Sequence, residues 1–392
     1  MNKKAEYVVF GKNLDPGAIS QMEDAACLPV AVKGALMPDA HVGYGLPIGG
    51  VLAVRDAVIP YAVGVDIACR MKLSVLSIPF DDYETHKQSF RQAIETKTKF
   101  GVGEKFSHPG QHRVMDSDWN ISPLVKSLKD LAHKQLGTSG SGNHFAEFGK
   151  LILTREEIGL KPGEYIAFLT HSGSRGTGAQ IADHYSTLAK RLHPELGKPL
   201  NNLAWLDMKK GDGIEYFKAM ELMGRYASAN HEIIHDAVLD FLGEKALVTI
   251  ENHHNFAWKE KIGLQDVIVH RKGATPAGKG VLGIIPGSMA DPGFIIRGLG
   301  NEDSLSSAAH GAGRRMSRND ALKQFDFKNL QDIMQKKQIT LISAGPDEIP
   351  MAYKNIEDVM DQQKGLVEIV ARFEPKLVKM APPGRKKSGR RR

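Results

Sequence analysis

The sequence predicts an α+β protein of mixed sheets surrounded by helices. Short apolar runs of strand length recur along the whole chain, and amphipathic helical stretches fall between them in no regular alternation. Neither an internal repeat nor a long low-complexity linker divides the 392 residues. The expected organisation is one large domain over residues 1–380 and a basic tail over 381–392.

Composition narrows the class. A hydrophobic content of 42% and a charged content of 25% are those of a folded chain. No apolar run approaches the roughly 20 residues that a membrane span requires. The first ten residues lack the apolar core and cleavage site of a signal peptide. With only Cys27 and Cys69 there is no disulfide framework, so a reducing cytoplasm and no membrane partner are expected. The net charge of +7 is uneven, because six of the Lys and Arg residues lie between Arg385 and Arg392 with no acid among them. Such an end is read as disordered and solvated, and it also attracts nucleic acid.

Taken in order, residues 1–36 mix short apolar runs with turn residues. Pro and Gly shape 37–50 into a loop holding Asp39 and His41. A strand is expected at 51–54. Gly64-Val65-Asp66-Ile67-Ala68-Cys69 then leads into a strand at 71–78. Asp66 and Cys69, three apart, could share a metal ion. Alone they read more simply as a turn carboxylate and a buried thiol. Helical spacing covers 81–100 and 120–135, with Ser122 as a cap. The stretch from Leu136 to Glu147 places three glycines ahead of Asn143 and His144, with Glu147 three residues on, and reads as an irregular loop. A buried strand at 165–170 runs into His171-Ser172-Gly173-Ser174-Arg175-Gly176. Strand ends followed by glycine-rich loops are common ligand positions.

Helices are expected at 178–193 and 212–243. In the second, His231-Glu232-Ile233-Ile234-His235 spells the zinc-protease motif, a reading that also needs a third ligand and an open cleft. The strand at 247–251 ends in Asn252-His253-His254-Asn255, and the strand at 267–271 ends in Lys272-Gly273. Gly287 and Ser288 sit in another glycine-bounded turn before a strand at 293–297. A helix is expected over 318–337, a strand over 339–343, and a helix capped by Asn355 and running to about Phe373.

The chemistry centres on Ala308-Ala309-His310-Gly311-Ala312-Gly313-Arg314. Glycines let the backbone approach a phosphate, and Arg314, Arg315 and Arg318 supply forked donors for its oxygens. A histidine in this setting is a candidate nucleophile or acid/base toward a phosphoryl group; the plainer alternative is a helix cap with a structural histidine. The same design recurs. His144, His171, His254, Asp66 and Cys69 stand at strand ends or in shaped loops, and their mixed N, O and S donors suit Zn²⁺, Mn²⁺ or Fe²⁺. Arg175, Arg271, Lys272, Arg314 and Arg318 add charge for phosphates. A metal, cationic side chains and one unligated histidine point to phosphoryl or nucleotidyl transfer.

Seven motifs in order carry a resemblance: Pro-Asp-Ala-His-x-Gly-Tyr-Gly from Pro38, Gly-x-Asp-Ile-x-Cys to Cys69, Gly-Ser-Gly-Asn-His-Phe-x-Glu to Glu147, His-Ser-Gly-Ser-Arg-Gly from His171, His254-Asn255, His-Arg-Lys-Gly-Ala-Thr from His270, and His-Gly-Ala-Gly-Arg from His310. From about residue 37 to residue 379 the chain resembles the RtcB-type RNA ligases, in a shorter bacterial branch. The resemblance implies an RtcB-like catalytic domain with a deep polar cleft for metal and GTP. It implies joining of RNA ends bearing a 2′,3′-cyclic phosphate or 3′-phosphate to 5′-hydroxyl ends, using GTP and two Mn²⁺ ions. The ions would be held by Asp66, Cys69, His144, His171 and His254, with Cys69 bridging, and His310 would carry the guanylate. The nucleotide would meet Asn143, Glu147, Asn255, Gly287, Ser288, Gly311, Ala312, Gly313, Tyr353 and Lys379. Phosphates of GTP or RNA would meet Arg175, Lys272, Arg314 and Arg318. Broken tRNA or rRNA would be the partner, in RNA repair rather than intron splicing, with a release-factor-like helper protein a further candidate partner. The competing readings are a metal-dependent RNA phosphoesterase, which needs no nucleotide carrier at His310, and a non-catalytic RNA-binding protein that relies on the tail. Arg70 stands where the family commonly has Gly after the metal cysteine, and Gly293 where it usually has Ser.

Overall fold

The computed structural model describes residues 4–198 and 200–382, so most of the basic tail lies outside the described residues. Helices and mixed sheets interleave as the α+β reading expected. The largest sheet has eight strands. Its path runs Leu282–Ile285, Gly293–Gly298, Val367–Met380, Phe145–Leu153, Gly163–Ser172, Arg70–Pro79 and Ala246–His253, with Thr340–Ser343 added on the far side of Val367–Met380. The two ends of this path come together through one side chain. The Asn252 amide accepts from Ile284 N at 2.9 Å and donates to Ile284 O at 3.5 Å, imitating a backbone pair where no ladder forms. The sheet is therefore nearly closed, which removes most of the exposed edge that invites pairing with other chains.

Alternation along these strands sorts their faces. Met71, Leu73, Val75, Leu151, Leu169, Ile250, Ile284, Ile295 and Phe373 pack together inside the curve. Leu76, Phe148, Ile166, Phe168 and Leu377 face outward and are covered by the helices Tyr83–Lys97 and Gly211–Leu242. The second helix also brings the protease-like pair to this outer face. His231 and His235 are buried against Thr170 Oγ1 at 3.1 and 2.9 Å, and His235 Nδ1 meets Ser74 Oγ at 2.8 Å. Glu232 turns away to His112. These histidines are core residues, and the protease reading ends there.

A five-stranded sheet lies beside the first, in the order Glu6–Val9, Ala31–His41, Ile48–Val54, Gln265–Lys272, Asn255–Ile262. The chain passes from one sheet to the other at a single residue, His254, between Ala246–His253 and Asn255–Ile262. A short ladder pairs Ala274 with Ala309 and delivers His310 to the same region.

Several expected boundaries shift. The loop expected at 37–50 shrinks to 42–47, because Met37–His41 continues one strand across an irregularity after Leu36 and Ile48–Gly50 begins the next, with His41 paired to Ile48. Phe145–Glu147, read as loop, begins a strand. The helix expected at 318–337 breaks at Phe325–Asp326, where Asp326 starts a new capping box with Asn329. The largest correction is at the C-terminal end. The Asn355-capped helix stops at Asp361, and Val367–Met380 is a strand in the middle of the large sheet. The helical run ends at Asp361 with Gln362 as its C-cap, and the strand that begins at Val367 is buried or half-buried at every residue but Ile369.

Candidate active site and metal centre

Strand register explains why five distant residues meet. Arg70 lies opposite Ser172 on one neighbour and His253 on the other, while His171 lies opposite Met71 and Phe145. Cys69, His144, His171 and His254 thus stand at one end of four adjacent strands. Ligand atoms of Cys69, His144 and His171 all lie within 4.8 Å of one another. Cys69 Sγ is 3.3 Å from His144 Nε2 and 3.0 Å from His171 Nε2. Asp66 joins on the His144 side at 2.9 Å, and His254 Nε2 joins on the His171 side at 3.2 Å. The sulfur sits between a carboxylate–imidazole set and a bis-imidazole set.

The donor chemistry fits a metal ion. Burial keeps the imidazoles neutral, with lone pairs available: His171 is pushed down to about 3, and His144 and His254 also lie below the ordinary value. His171 Nδ1–H donates to the Asn143 carbonyl at 3.0 Å, which leaves Nε2 free to ligate. Burial would raise the Asp66 carboxyl, but the His144 hydrogen bond and charge, with Arg175, outweigh it and hold the group low. Burial, with the Asp66 charge, pushes the Cys69 thiol up, so a cation is what would hold it as thiolate. Two residues here adopt left-handed backbone without being glycine, Ala68 at φ 56° and Arg175 at φ 57°. Each costs on the order of 1–3 kcal/mol, a strain typical of sites that must aim a side chain. Gly173 is needed for space, since a Cβ there would overlap the Asp66 carboxylate.

Against this cluster lies a cleft of about 1150 Å³, its open mouth included. His310 lines it, with its ring centroid 5.0 Å from that of His254. Asp39 fixes this imidazole. Its Oδ2 accepts from His310 Nδ1 at 2.6 Å and from His310 N at 3.1 Å, while Asp39 itself is fully buried. Nδ1–H is thereby committed, and Nε2 keeps its lone pair. Gly313, at φ +69°, permits the contact, because a Cβ there would strike the Asp39 carbonyl.

Asn143, Glu147, Gly287, Ser288, Gly311, Ala312, Gly313, Arg314, Arg318 and Tyr353 all line the cleft. Glu147 is buried, and burial raises its carboxyl well above the usual range. Arg314 and Arg318 share the Glu348 carboxylate, and Tyr353 also bonds it. Other expected residues stand apart. Asn255 is scaffolding, accepting from Gly273 N at 2.8 Å and donating to Asp66 O at 3.3 Å. Lys379 falls on the strand face away from the cleft, with Nζ 5.8 Å from the Phe100 ring centroid, while its neighbour Met380 lines the cleft. Arg271 is buried on Glu260 and Ser307 and is a structural cation. Arg175 lines a second cavity with Asp66 and His144, its guanidinium donating to His144 Nδ1 at 2.8 Å and Ser139 O at 2.7 Å.

Lys272 is buried, with Nζ donating to Tyr44 O at 2.6 Å, and burial pushes the amine down to about 7. In an unfolded chain it titrates near 10.5. Between these values the unfolded chain binds more protons, so this group's contribution to stability rises as pH rises through that window. The unfolding free energy of Lys272→Met, read from urea titration, is expected to gain on wild type as pH falls from 10 to 6, by up to on the order of a few kcal/mol.

The residues that sequence reasoning left without a role are Asp39, His41 and Glu348. His41 lines the cleft, with Nδ1 3.2 Å from Asp39 O. The signal for Asp39 was its place in a Pro-Gly-shaped motif beside His41, but nothing in the sequence linked it to His310, 271 residues away.

Comparison with known proteins follows this geometry. The family model described as "tRNA-splicing ligase RtcB" matches residues 21–380. The chain is similar to an "RNA-splicing ligase RtcB" of Escherichia coli (strain K12), 34% identical over 92% of this chain and 93% of that protein. It is also similar to proteins named "tRNA-splicing ligase RtcB" from Methanococcus maripaludis, 30% identical over 93% of this chain and 91% of that protein, and from Nanoarchaeum equitans, 31% identical over 91% and 90%.

Proposed function

The chain belongs to the RtcB family, and on that footing we propose that it is a GTP- and Mn²⁺-dependent RNA ligase joining 2′,3′-cyclic phosphate or 3′-phosphate ends to 5′-hydroxyl ends. The observation that carries this reading is His310, locked by Asp39 with Nε2 free in a cleft that abuts the metal-ligand cluster. A metal-dependent phosphoesterase does not need this imidazole as a nucleotide carrier, so a covalent guanylate on His310 is what separates the two readings.

His310 Nε2 attacks the α-phosphorus of GTP. The bond to the β-phosphate oxygen breaks, and pyrophosphate departs with the electron pair. The ring then carries a guanylate and positive charge, which the buried Asp39 carboxylate offsets through Nδ1–H. A 3′-phosphate oxygen of RNA next takes the guanylate, and His310 recovers its lone pair. The 5′-hydroxyl attacks the activated 3′-phosphate, and GMP leaves. A cyclic phosphate must first be opened to a 3′-phosphate. Asp66, Cys69, His144, His171 and His254 would hold the Mn²⁺, which would supply positive charge against the phosphate oxygens. Arg314 and Arg318 would exchange Glu348 for phosphate. Glu147, close to the Asn143–His144 turn, offers a carboxyl for the donor edge of guanine, which adenine lacks at the same positions.

Sealing of a cyclic-phosphate RNA to a 5′-hydroxyl RNA, dependent on GTP and not ATP, tests the reading. Hydrolysis of the cyclic phosphate without any joined product would favour the phosphoesterase. Repair predicts that cleaved tRNA or rRNA is sealed at least as well as intron-cut tRNA halves. Asp39→Asn keeps size while weakening the charge against the imidazolium; we expect guanylylation to fall about 10²- to 10⁴-fold, read as the rate of label transfer to protein.

A further inference from the structure

The loop 42–47 presents an aromatic ring that the ligation chemistry does not use. Its backbone is pinned at three successive residues. Gln21 brackets Gly43, donating to its carbonyl at 2.6 Å and accepting from its N–H at 2.9 Å. The Tyr44 carbonyl accepts from Lys272 Nζ. Gly45, at φ +72°, packs so close to Asn202 that a Cβ would lie 2.8 Å from its carbonyl. Yet the Tyr44 side chain is 69% exposed. A rigid frame holding a bare ring in water is what pre-organised binding surfaces require and what packing alone does not produce.

A second aromatic lies behind it. Tyr61 meets Tyr44 edge to face, with centroids 6.3 Å apart and planes at 83°. Lys272 and Lys190 each place Nζ 5.1 Å from the Tyr61 centroid. Aromatic faces with a cation alongside are the combination that holds single-stranded nucleic acid, bases on the rings and phosphates on the charges; half-buried Lys190 is the amine placed to meet a phosphate, whereas buried Lys272 holds the Tyr44 carbonyl.

The location ties this surface to the reacting ends. The loop follows directly on His41, which lines the His310 cleft. Lys272 precedes Gly273, where a Cβ would lie 3.1 Å from His310 Cε1. On the other side, a Cβ on Gly64 would lie 4.0 Å from Lys272 Cε, and the next two residues, Val65 and Asp66, line the second cavity. We propose that Tyr44, supported by Tyr61, Lys190 and Lys272, is a stacking platform for an unpaired nucleobase next to the RNA end being joined. This rests on the ligase reading.

The test uses the full chain and two short RNAs carrying 2-aminopurine, one at the last base of a 3′-phosphate strand and one at the first base of a 5′-hydroxyl strand. Wild type and Tyr44→Phe should quench one of the two probes, which identifies the strand. Tyr44→Ala and Tyr44→Leu should lose the quenching, and KM for that strand should rise about 5- to 100-fold with little change in kcat. Tyr44→Leu keeps apolar bulk without a π face, so wild-type behaviour in it would overturn stacking. Unchanged quenching and KM in Tyr44→Ala would overturn the platform while leaving the ligase reading intact. Quenching by a wild-type protein that never joins RNA would sink the ligase reading and leave the platform standing.

Discussion

His310→Ala protein incubated with α-labelled GTP and Mn²⁺ is expected to retain no label on a denaturing gel, whereas wild type should carry one acid-labile, alkali-stable adduct. The expected loss of RNA joining is about 10⁴-fold or more, as for other enzymes stripped of a nucleophile. The effect is large because nothing nearby replaces this lone pair. His254 and His171 crowd each other at 3.2 Å with their Nε2 atoms, and His41 is tied to the Asp39 carbonyl. Acid lability with alkali stability marks a phosphorus–nitrogen bond and separates it from an ester on Ser288 or Tyr353. A labelled His310→Ala protein would remove His310 as the carrier.

Cys69→Ala should be nearly as damaging for a different reason. The sulfur lies between His144 and His171, so its loss takes a donor from both halves of the cluster. After gel filtration, bound Mn²⁺ should drop from about two ions per chain to one or none, and joining should fall about 10³-fold or more. Because burial and the Asp66 charge raise the thiol, metal binding must expel its proton. Wild-type affinity for Mn²⁺ should therefore fall as pH is lowered, and the slope should flatten in Cys69→Ala. Unchanged Mn²⁺ binding in that variant would contradict Cys69 as a ligand.

The cluster was legible because each member sits where a strand ends beside glycine or a basic residue, a local pattern that repeats. The register bringing the strands side by side was not legible, since it depends on which strands pair. Asp39 shows the same limit: a carboxylate and an imidazole 271 residues apart carry no mutual signal. Arg271 and Lys379 mark a second limit. Charge near a motif says nothing of the face on which it lands, and strand alternation turned Lys379 away while Met380 faced the cleft. The His-Glu-x-x-His letters form no site, because a helix packed on a sheet buries its i, i+4 pair. The helix expected to run on from Asn355 stops at Asp361, and from Val367 charges interspersed among Val, Ile and Phe fit helix and strand equally well until neighbours choose.

That C-terminal strand has a consequence for how the molecule comes into being. Val367–Met380 lies between Gly293–Gly298 and Phe145–Leu153, so its pairing with the latter joins stretches more than two hundred residues apart. Chains emerge N-terminal end first, and long-range strand pairing is slow. A growing chain short of residue 367 has the ligand-bearing strands in hand but a gap in the wall that supports them. Until that strand arrives, a nascent chain leaves the facing edges of Gly293–Gly298 and Phe145–Leu153 unpaired, the kind of open edge that other chains can join.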